Sequence, residues 1–310
     1  MKKADVIIPV YKPTEKLFCL LDMLMRQSVP VNRIILVNTE QRYFEELISE
    51  EKLKLKYKEI LLKHITKPEF DHGKTRNFGV RCSESPYFVM MTDDAIPADE
   101  KLLERLLAPF ADETVGMTYA RQLPDKTCGV IESYTRKFNY PAESKVKSAA
   151  DLQNMGIKTF FASNVCAAYR REYFDELQGF PDRTIFNEDM IYARKLIDSG
   201  RKIVYAADAQ VYHSHNYSGI EQLRRNFDLG VSHAEYQETF SGLKAESEGI
   251  RLVKQTCAHL CRIGKPWLIV KLIWQSGCKY TGYFLGKRYQ SLPGGMVRYL
   301  SMNREYWKNL

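Results

Sequence analysis

In the first part of the chain, short apolar runs alternate with longer segments in which apolar residues recur at helical spacing. Runs of this length and composition predict strands that are buried on both faces of a sheet. The predicted strands are Asp5–Val10, Arg33–Val37, Glu59–Lys63 and Tyr87–Met91. The first two predicted helices run from Glu15 to about Gln27, after the N-cap Thr14, and from Phe44 to about Lys56. A third predicted helix lies between the third and fourth strands and ends at about Cys82. Strands that alternate with helices in this way predict a parallel sheet of right-handed βαβ units.

The second part of the chain has a less regular pattern. The expected elements are a helix over Leu103–Phe110, a strand over Thr114–Ala120, a loop with a short helix over Pro124–Leu152, a strand over Lys158–Tyr169, a helix over Tyr173–Leu177, a helix that begins at Glu188 with Asn187 as its cap, and strands over Lys202–Ala206 and Ala209–His215. No Gly-rich turn follows the first strand, which argues against NAD or FAD binding.

The fourth apolar run ends abruptly in two carboxylates, Asp93 and Asp94. In open α/β sheets, ligands bind at the carboxyl ends of the strands. Two adjacent carboxylates there repel each other unless a cation lies beside them, and Mg²⁺ or Mn²⁺ prefers oxygen ligands. The alternative is that one of the two acids caps a helix that begins near Pro97. The two interpretations are about equally supported by this stretch alone.

Two further polar clusters interrupt apolar runs, Glu188-Asp189 and His213 with His215. Carboxylates and histidines from distant parts of a chain are the residue types that build a metal site and a general base. Glu188 and Asp189 also suit the first turn of a helix, where the helix dipole favours negative charge. Spacing alone does not bring these clusters together.

Length and cysteine content restrict the class of protein. A chain of 310 residues predicts one large α/β domain, alone or with an appendage. The seven cysteines are scattered without any CxxC pair, which indicates reduced thiols in the cytosol rather than disulfides or a zinc site. Met1-Lys2-Lys3 leads directly into the first strand, so we expect no export signal, and no apolar run has the length of a membrane span.

The formal net charge of +8 is concentrated at one end of the chain. Residues 251–310 carry 11 Lys and Arg and a single acid, Glu305, whereas the rest is close to neutral. The same segment holds all three tryptophans, Trp267, Trp274 and Trp307. We therefore divide the chain into a main domain over 1–220 and a basic, aromatic-rich helical region over 221–310.

Within residues 251–310, apolar and basic side chains alternate at helical spacing, with an interruption at Gly264-Lys265-Pro266. Amphipathic basic helices of this kind lie on anionic membrane surfaces, with tryptophan side chains at the level of the headgroups. The alternative is a helical region that packs on the sheet or forms a homodimer. One face on the body and one on the membrane satisfies both interpretations.

Five motifs and the tail carry a resemblance to a known family. They are Val6-Ile7-Ile8-Pro9-Val10-Tyr11, Phe70-Asp71-His72-Gly73-Lys74-Thr75-Arg76-Asn77, Thr92-Asp93-Asp94-Ala95, Asn187-Glu188-Asp189, Val211-Tyr212-His213-Ser214-His215, and Tyr283–Tyr289 with Leu292-Pro293. In this order they resemble the family 2 glycosyltransferases, and most closely the bacterial rhamnosyltransferase branch. The resemblance implies a GT-A fold, which is a Rossmann-like, mainly parallel sheet flanked by helices, with a C-terminal helical extension.

The resemblance also implies a function. The expected enzyme is an inverting, metal-dependent glycosyltransferase that moves L-rhamnose from dTDP-β-L-rhamnose to a glycan or lipid-linked acceptor in polysaccharide synthesis. The expected cofactor is Mn²⁺ or Mg²⁺, and the expected location is the cytoplasm, on the inner face of the cell membrane. We expect no nucleic-acid partner.

Site residues follow from the same resemblance. Asp189 is the expected catalytic base, Asp94 and His213 are the expected metal ligands with His215 as the alternate, and Glu188 is structural or binds acceptor. The residues expected to bind the nucleotide-sugar donor are Pro9, Val10, Tyr11, Lys12, Asn38, Glu40, His72, Lys74, Arg76, Asn77 and Asp93.

The chain departs from the family pattern in two places. In many relatives an aspartate after the second strand contacts the base of the nucleotide. This chain has Asn38-Thr39-Glu40 at that place. The rhamnosyltransferase motif usually carries Gln at the position of Asp93. Three alternatives remain at this stage: a family member that uses a UDP-hexose, a nucleic-acid-binding protein with a basic tail, and a nucleotidyltransferase. The last of these normally has a Gly-rich basic loop after the first strand, where Val10-Tyr11-Lys12-Pro13 stands.

Overall fold

The computed structural model of the protein describes residues 3–240 and 246–308. Met1 and Lys2, in the segment where no export signal is expected, lie outside these ranges. Residues 241–245 of the predicted C-terminal region and residues 309–310 at the end of its basic segment lie outside them as well.

The first part of the chain alternates strands with helices, with two helices rather than one between the second and third strands. They are β1 (Asp5–Tyr11), α1 (Glu15–Met25), β2 (Arg33–Thr39), α2 (Gln41–Glu45), α3 (Glu50–Lys56), β3 (Ile60–Ile65), α4 (His72–Arg81) and β4 (Tyr87–Met91). Thr14 caps α1 as predicted, because its side chain accepts a hydrogen bond from the Lys16 N–H. The single helix predicted over Phe44–Lys56 is wrong. Ser49 is extended and accepts from the Lys52 N–H, so a new helix begins there.

The middle of the chain differs more from the prediction. Its elements are β5 (Ile96–Pro97), α5 (Leu102–Leu107), β6 (Val115–Leu123), α6 (Val130–Asn139), β7 (Lys145–Lys147), α7 (Leu152–Met155), β8 (Cys166–Arg170), α8 (Arg171–Glu176), α9 (Glu188–Asp198) and β9 (Lys202–Tyr212). The strand predicted over Lys158–Tyr169 is reduced to β8, and the two strands predicted over 202–215 are one continuous strand. The segment predicted as a loop with a short helix over Pro124–Leu152 holds a helix of ten residues and, in addition, a strand that was not predicted.

The C-terminal part is helical, as predicted. It consists of α10 (Gly219–Glu235), α11 (Gln237–Phe240), α12 (Glu246–Arg262), α13 (Leu268–Gly286) and α14 (Gly294–Leu300). The predicted interruption between α12 and α13 is confirmed at Gly264, whose φ of 69° lies in the left-handed region that glycine adopts without strain. Among the described residues, no helix has the length and apolar character needed to cross a membrane.

One sheet organises the whole α/β part, in the order β3-β2-β1-β4-β8-β6-β9-β5, with β7 beside β9. Strands β1 to β4 are parallel, as predicted, and β6 is parallel to β9. Strand β8 is antiparallel to both β4 and β6, and β5 and β7 are antiparallel to β9. The α/β fold is therefore confirmed, with a mixed sheet rather than a mainly parallel one.

The sheet is covered on both faces. Val6, Ile8 and Val10 of β1 pack with α1, α3 and α5 on one face, and Ile7 packs with α4, α8 and α9 on the other. This alternation is the reason the first strand is apolar throughout.

A third apolar cluster joins the C-terminal helices to the body. Ile185, which precedes α9, packs there with Phe227 of α10 and Trp307, which is only 6% exposed. Helices α10 and α13 are in close contact. At Gly282 of α13, an added Cβ would lie 2.1 Å from the Leu223 carbonyl oxygen of α10, too close for any side chain. The region after residue 220 thus packs directly on the part that precedes it. The division at residue 220 stays a prediction.

Candidate active site

The carboxylate of Asp94 and the imidazoles of His213 and His215 lie together at one edge of the sheet. Asp94 Oδ1 is 3.5 Å from His213 Nε2, and Asp94 Oδ2 is 3.4 Å from His215 Nε2. One potential ligand atom from each of the three lies within 4.8 Å of the others. Strands β4 and β9 are not neighbours, so the contact depends on β5, in which Ile96 pairs with Tyr212 and brings the two strand ends together.

These three side chains fit a divalent cation. Burial lowers the pKa of His213 to about 3 and lowers the pKa of His215, so both imidazoles are neutral and each has a nitrogen lone pair to share. A carboxylate oxygen with two imidazole nitrogens is a donor set that divalent metals accept. The prediction named His213 with His215 as the alternate, and the structure brings both beside Asp94. Asp93 and Asp94 precede a strand, so neither caps a helix near Pro97.

Gln122 on β6 holds His213 in place, and the sequence analysis missed this residue. His213 Nδ1 is 3.1 Å from Gln122 Oε1, so Nδ1 carries the proton and Nε2 faces Asp94. The Gln122 oxygen also accepts from Arg136, and its Nε2 donates to Tyr140 Oη at 2.6 Å. Gln122 is only 2% exposed and stands next to the predicted strand end, which is the one signal in the sequence that marks it.

Asp189 faces the same space from the first turn of α9. The Asn164 N–H donates to its Oδ2 at 2.9 Å, and the Met190 N–H donates to its Oδ1 at 2.8 Å. The predicted cap, Asn187, makes no side-chain cap. It lies in the left-handed region at φ 66°, and its Nδ2 donates to Ser232 Oγ. The carboxylate of Asp189 is therefore held by backbone N–H groups from two segments.

Glu188 and Asp189 have opposite electrostatic environments although they are adjacent. Burial disfavours the charge of Glu188, but Arg76, His72 and Asn164 outweigh it and hold the pKa of Glu188 below its usual value. The Arg76 Nε lies 3.2 Å from Glu188 Oε1. Burial and then the charge of Glu188 raise the pKa of Asp189 to about 7. Asp189 is thus the carboxyl that gains and loses a proton near neutral pH, whereas Glu188 keeps its charge.

A cavity of about 780 Å³ joins these groups into one site. Its lining includes Asp94 with both histidines, and also Asp189, Glu188 and Arg76. Residues that the sequence analysis did not assign also line it, namely Gln122, Arg136, Asn164, Tyr217, Arg225 and Lys279. Arg225 and Lys279 belong to α10 and α13, so the C-terminal helices form part of the wall.

A model of Glycosyl transferase family 2 matches residues 5–178 of the chain. The chain belongs to this family. Two curated relatives extend the match: the O-antigen chain rhamnosyltransferase RfbN of Salmonella typhimurium strain LT2 is 38% identical over 99% of this chain and 97% of its own. The O-antigen chain rhamnosyltransferase WbaN of Salmonella anatum is 42% identical over 79% of this chain and 78% of its own. The protein is accordingly a glycosyltransferase, and the predicted family is confirmed.

A solved glycosyltransferase shares the fold. The mannosyltransferase PcManGT from Pyrobaculum calidifontis, in complex with GDP-Man and Mn²⁺, superposes with a TM-score of 0.58 at 16% identity. The alignment covers 98% of this chain and 84% of that one, so it includes the C-terminal helices.

In the present chain, four of the residues predicted to bind the donor line the cavity described above. They are Tyr11, His72, Arg76 and Asp93. Burial and then the charge of Asp94 raise the pKa of Asp93 to about 7, and the backbone of Tyr11 hydrogen-bonds to its carboxylate. Lys12 lies just outside, with its Nζ 4.7 Å from the centre of the Tyr43 ring. The Tyr43 ring in turn lies edge-on to the ring of Tyr11, with centroids 5.7 Å apart.

Other predicted donor-binding residues are engaged elsewhere. The Val10 side chain lies in the core, and Pro9 is outside the cavity lining. Asn38 is buried with its Nδ2 3.0 Å from His64 Nδ1, and Glu40 Oε1 accepts from the Lys67 N–H at 2.7 Å. The side chains of Val10, Asn38 and Glu40 are thus held by packing or hydrogen bonds away from the cavity lining, and the assignment of these residues to donor binding stays a prediction.

The motif from Phe70 to Asn77 is chiefly a support for the segment that leads to Asp189. Asp71 caps α4 through Gly73 and Lys74, and its other oxygen accepts from the Thr184 N–H at 2.9 Å. Asn77 donates to the Phe180 carbonyl and accepts from the Phe180 N–H, so it does not reach the cavity. Lys74 is exposed and also lies outside the cavity lining. Only His72 and Arg76 of this motif face the cavity.

Proposed function

We propose that this glycosyltransferase transfers L-rhamnose from dTDP-β-L-rhamnose to a hydroxyl of a lipid-linked O-antigen-type polysaccharide. The observation that carries the proposal is the likeness to RfbN, an O-antigen chain rhamnosyltransferase 38% identical over 99% of the chain. The likeness to WbaN supports the same sugar and the same class of acceptor.

Asp189 is the proposed catalytic base. It takes the proton of the acceptor hydroxyl as the acceptor oxygen bonds to C1 of the sugar and the bond between C1 and the diphosphate oxygen breaks. The attack comes from the face opposite the leaving group, so the anomeric centre is inverted and no covalent enzyme intermediate forms. A pKa of about 7 suits this role, because the carboxylate is then both available and basic at neutral pH. Asn164 and Met190 keep the carboxylate aimed into the cavity.

Asp94, His213 and His215 are the proposed ligands of a divalent cation, with Mn²⁺ as the first candidate. When bound, the cation supplies positive charge against the leaving diphosphate. Gln122 orients His213 toward that position, and Arg76 neutralises Glu188 so that the carboxylates around the donor do not repel it.

We also propose that α13 lies on the anionic membrane surface that carries the acceptor. One exposed face comprises Trp267, just before α13, and Val270, Ile273, Trp274 and Tyr280 of the helix, each more than 60% exposed. Its other face, with Leu272 and Cys278, is buried against the body. An exposed aromatic face on a basic helix is the arrangement that interfacial helices use. Trp307 lies in the third apolar cluster and takes no part in this surface.

A donor screen tests the proposed reaction. The full chain is incubated with Mn²⁺ and dTDP-β-L-rhamnose, UDP-glucose, UDP-GlcNAc or GDP-mannose, and release of the nucleoside diphosphate is measured with and without a lipid-linked rhamnose-accepting glycan. We expect release from dTDP-β-L-rhamnose in preference to the others, and acceptor-dependent release at least about a hundredfold slower from the Asp189→Asn variant. A clear preference for a UDP-hexose overturns the proposed donor but leaves the family unchanged.

A further inference from the structure

Two cationic side chains from the C-terminal helices line the cavity and form no ion pair with a carboxylate among the described residues. They are Arg225 on α10 and Lys279 on α13. The other two cations of the cavity wall are paired, Arg76 with Glu188 at 3.2 Å and Arg136 with Glu132 at 2.8 Å. A partly buried cation without a carboxylate partner is costly unless an anion joins it.

Aromatic rings hold Arg225 beside the proposed metal site. Its guanidinium carbon is 4.6 Å from the centre of the Phe186 ring and 5.8 Å from that of Tyr217. Tyr217 stacks on His215 with centroids 5.1 Å apart, and His215 contacts Asp94. The charge of Arg225 therefore lies one aromatic layer from the Asp94-His213-His215 group.

Lys279 reaches the same space from the neighbouring helix. Gln275, one helical turn before it, donates from Nε2 to the Tyr217 carbonyl at 3.1 Å, which ties α13 to the loop that carries His215. Burial, with the charges of Arg225 and Arg136, lowers the pKa of Lys279, whereas Glu132 raises it. The close packing of α10 on α13 at Gly282 and Gly286 fixes the separation of the two cations.

We propose that Arg225 and Lys279 form a diphosphate-binding site beside Asp94, His213 and His215. The proposal deepens the proposed function and rests on it, since a sugar nucleotide and a lipid-linked glycan both carry a diphosphate. The shared chemistry is two linked phosphates with several negative charges, for which a guanidinium supplies a bidentate fork and an ammonium a point charge. The proposed site makes the helices α10 and α13 part of the active site, because they carry Arg225 and Lys279.

Binding measurements on the full chain test the site without requiring transfer. The variants are Arg225→Met and Lys279→Met, and Arg225→Lys is the charge-preserving variant. The matched controls are Arg224→Met, whose guanidinium lies over Tyr299 instead, and Lys287→Met, just after α13. The probes are dTDP and UDP in solution with Mn²⁺, and farnesyl diphosphate in phosphatidylcholine vesicles. Dissociation constants are measured at several salt concentrations.

We expect each charge-removing variant to weaken at least one diphosphate probe about tenfold to a hundredfold and to flatten its salt dependence. Arg225→Lys should regain part of the affinity, and both controls should bind as the parent protein does. Equal weakening of dTDP and UDP identifies the donor diphosphate as the ligand, whereas weakening of farnesyl diphosphate alone identifies the acceptor carrier.

Parent-like binding of all three probes by both variants overturns the proposal. Failure of the rhamnose assignment is a separate result, because it changes which donor is transferred and leaves the loss of diphosphate affinity intact. Equal weakening by the Arg224→Met control also overturns the site, since the effect is then one of net charge.

Discussion

His213 Nε2 lies 3.5 Å from Asp94 Oδ1, although the two residues follow strands that are not neighbours in the sheet. The contact exists because the two-residue strand β5 folds back on the end of β9. A short antiparallel pair thus assembles the proposed metal site from two distant parts of the chain.

Asp94→Asn should weaken Mn²⁺ binding by at least about a hundredfold, because even the loss of a supporting group around a metal costs about 10–100-fold. Mn²⁺ affinity is measured by electron paramagnetic resonance, and the transfer rate is compared before and after chelation with EDTA. The Asp94 side chain is 25% exposed and caps no helix, so melting without metal should change little. Full metal stimulation in the variant contradicts the assignment.

Gln122→Met should lower Mn²⁺ affinity about tenfold although Asp94, His213 and His215 are all retained. The methionine sulfur is only a weak hydrogen-bond acceptor, so His213 Nδ1 loses the partner that fixes it and the ring is free to turn or to change its tautomer. Gln210→Met on β9, whose Nε2 donates to the Ala207 carbonyl away from the cavity, is the matched control. An unchanged Mn²⁺ affinity in Gln122→Met, with a parent-like melting curve, removes Gln122 from the site.

Asp189→Asn should reduce transfer about a hundredfold to ten-thousandfold, the usual contribution of a positioned base, and leave the dissociation constant of the donor nearly unchanged. Asp198→Asn at the end of the same helix removes a carboxylate paired with Arg194 and serves as control. Single-turnover rates and donor binding are measured separately. Substantial turnover by Asp189→Asn excludes it as the base.

The pH dependence of kcat/KM should show an acid limb near pH 7. The pKa of Asp189 is raised to about 7, so its protonated form, which cannot accept a proton, predominates below that pH. The rate should then fall about tenfold per pH unit on the acid side. Asp93 also has a pKa raised to about 7, and Asp93→Asn distinguishes the two, because the limb should persist in that variant. Loss of the limb in Asp93→Asn assigns it to Asp93 instead.

The double variant Trp267→Ser with Trp274→Ser should lose binding to anionic vesicles at low salt. These side chains are 65% and 61% exposed, so their removal takes interfacial contacts without opening the core. Deletion of residues 251–310 is a poor test, because it also removes the buried Leu260, Leu272 and Trp307.

Leu55→Ser, at an apolar side chain that is 81% exposed on the main body, is the control for vesicle binding. High salt should release the parent protein, since each basic residue near the lipid contributes about 1 kcal/mol. Equal sedimentation of the parent protein with neutral and anionic vesicles excludes the anionic surface as partner.

The sequence alone determined the elements whose signals are local. Apolar runs buried on both faces marked β1 to β4, Thr14 marked the start of α1, and Gly264 marked the break before α13. Such signals act within about ten residues, because periodicity and capping involve side chains that are neighbours along the chain. The motifs likewise indicated the family and named Asp94, Asp189, His213 and His215 as candidate site residues.

Only the tertiary structure decided how these pieces meet. The antiparallel insertion of β8, the pairing of β5 with β9 and the placement of Arg225 and Lys279 in the cavity wall depend on contacts between residues far apart in sequence. The same holds for Asn38 and Asn77, whose amide side chains are of a type that often binds ligands. In the fold, the Asn38 amide hydrogen-bonds to His64 and the Asn77 amide to the Phe180 backbone. A polar side chain makes its hydrogen bonds with whichever groups the fold brings within reach, and the spacing of residues along the chain does not predict which groups these are.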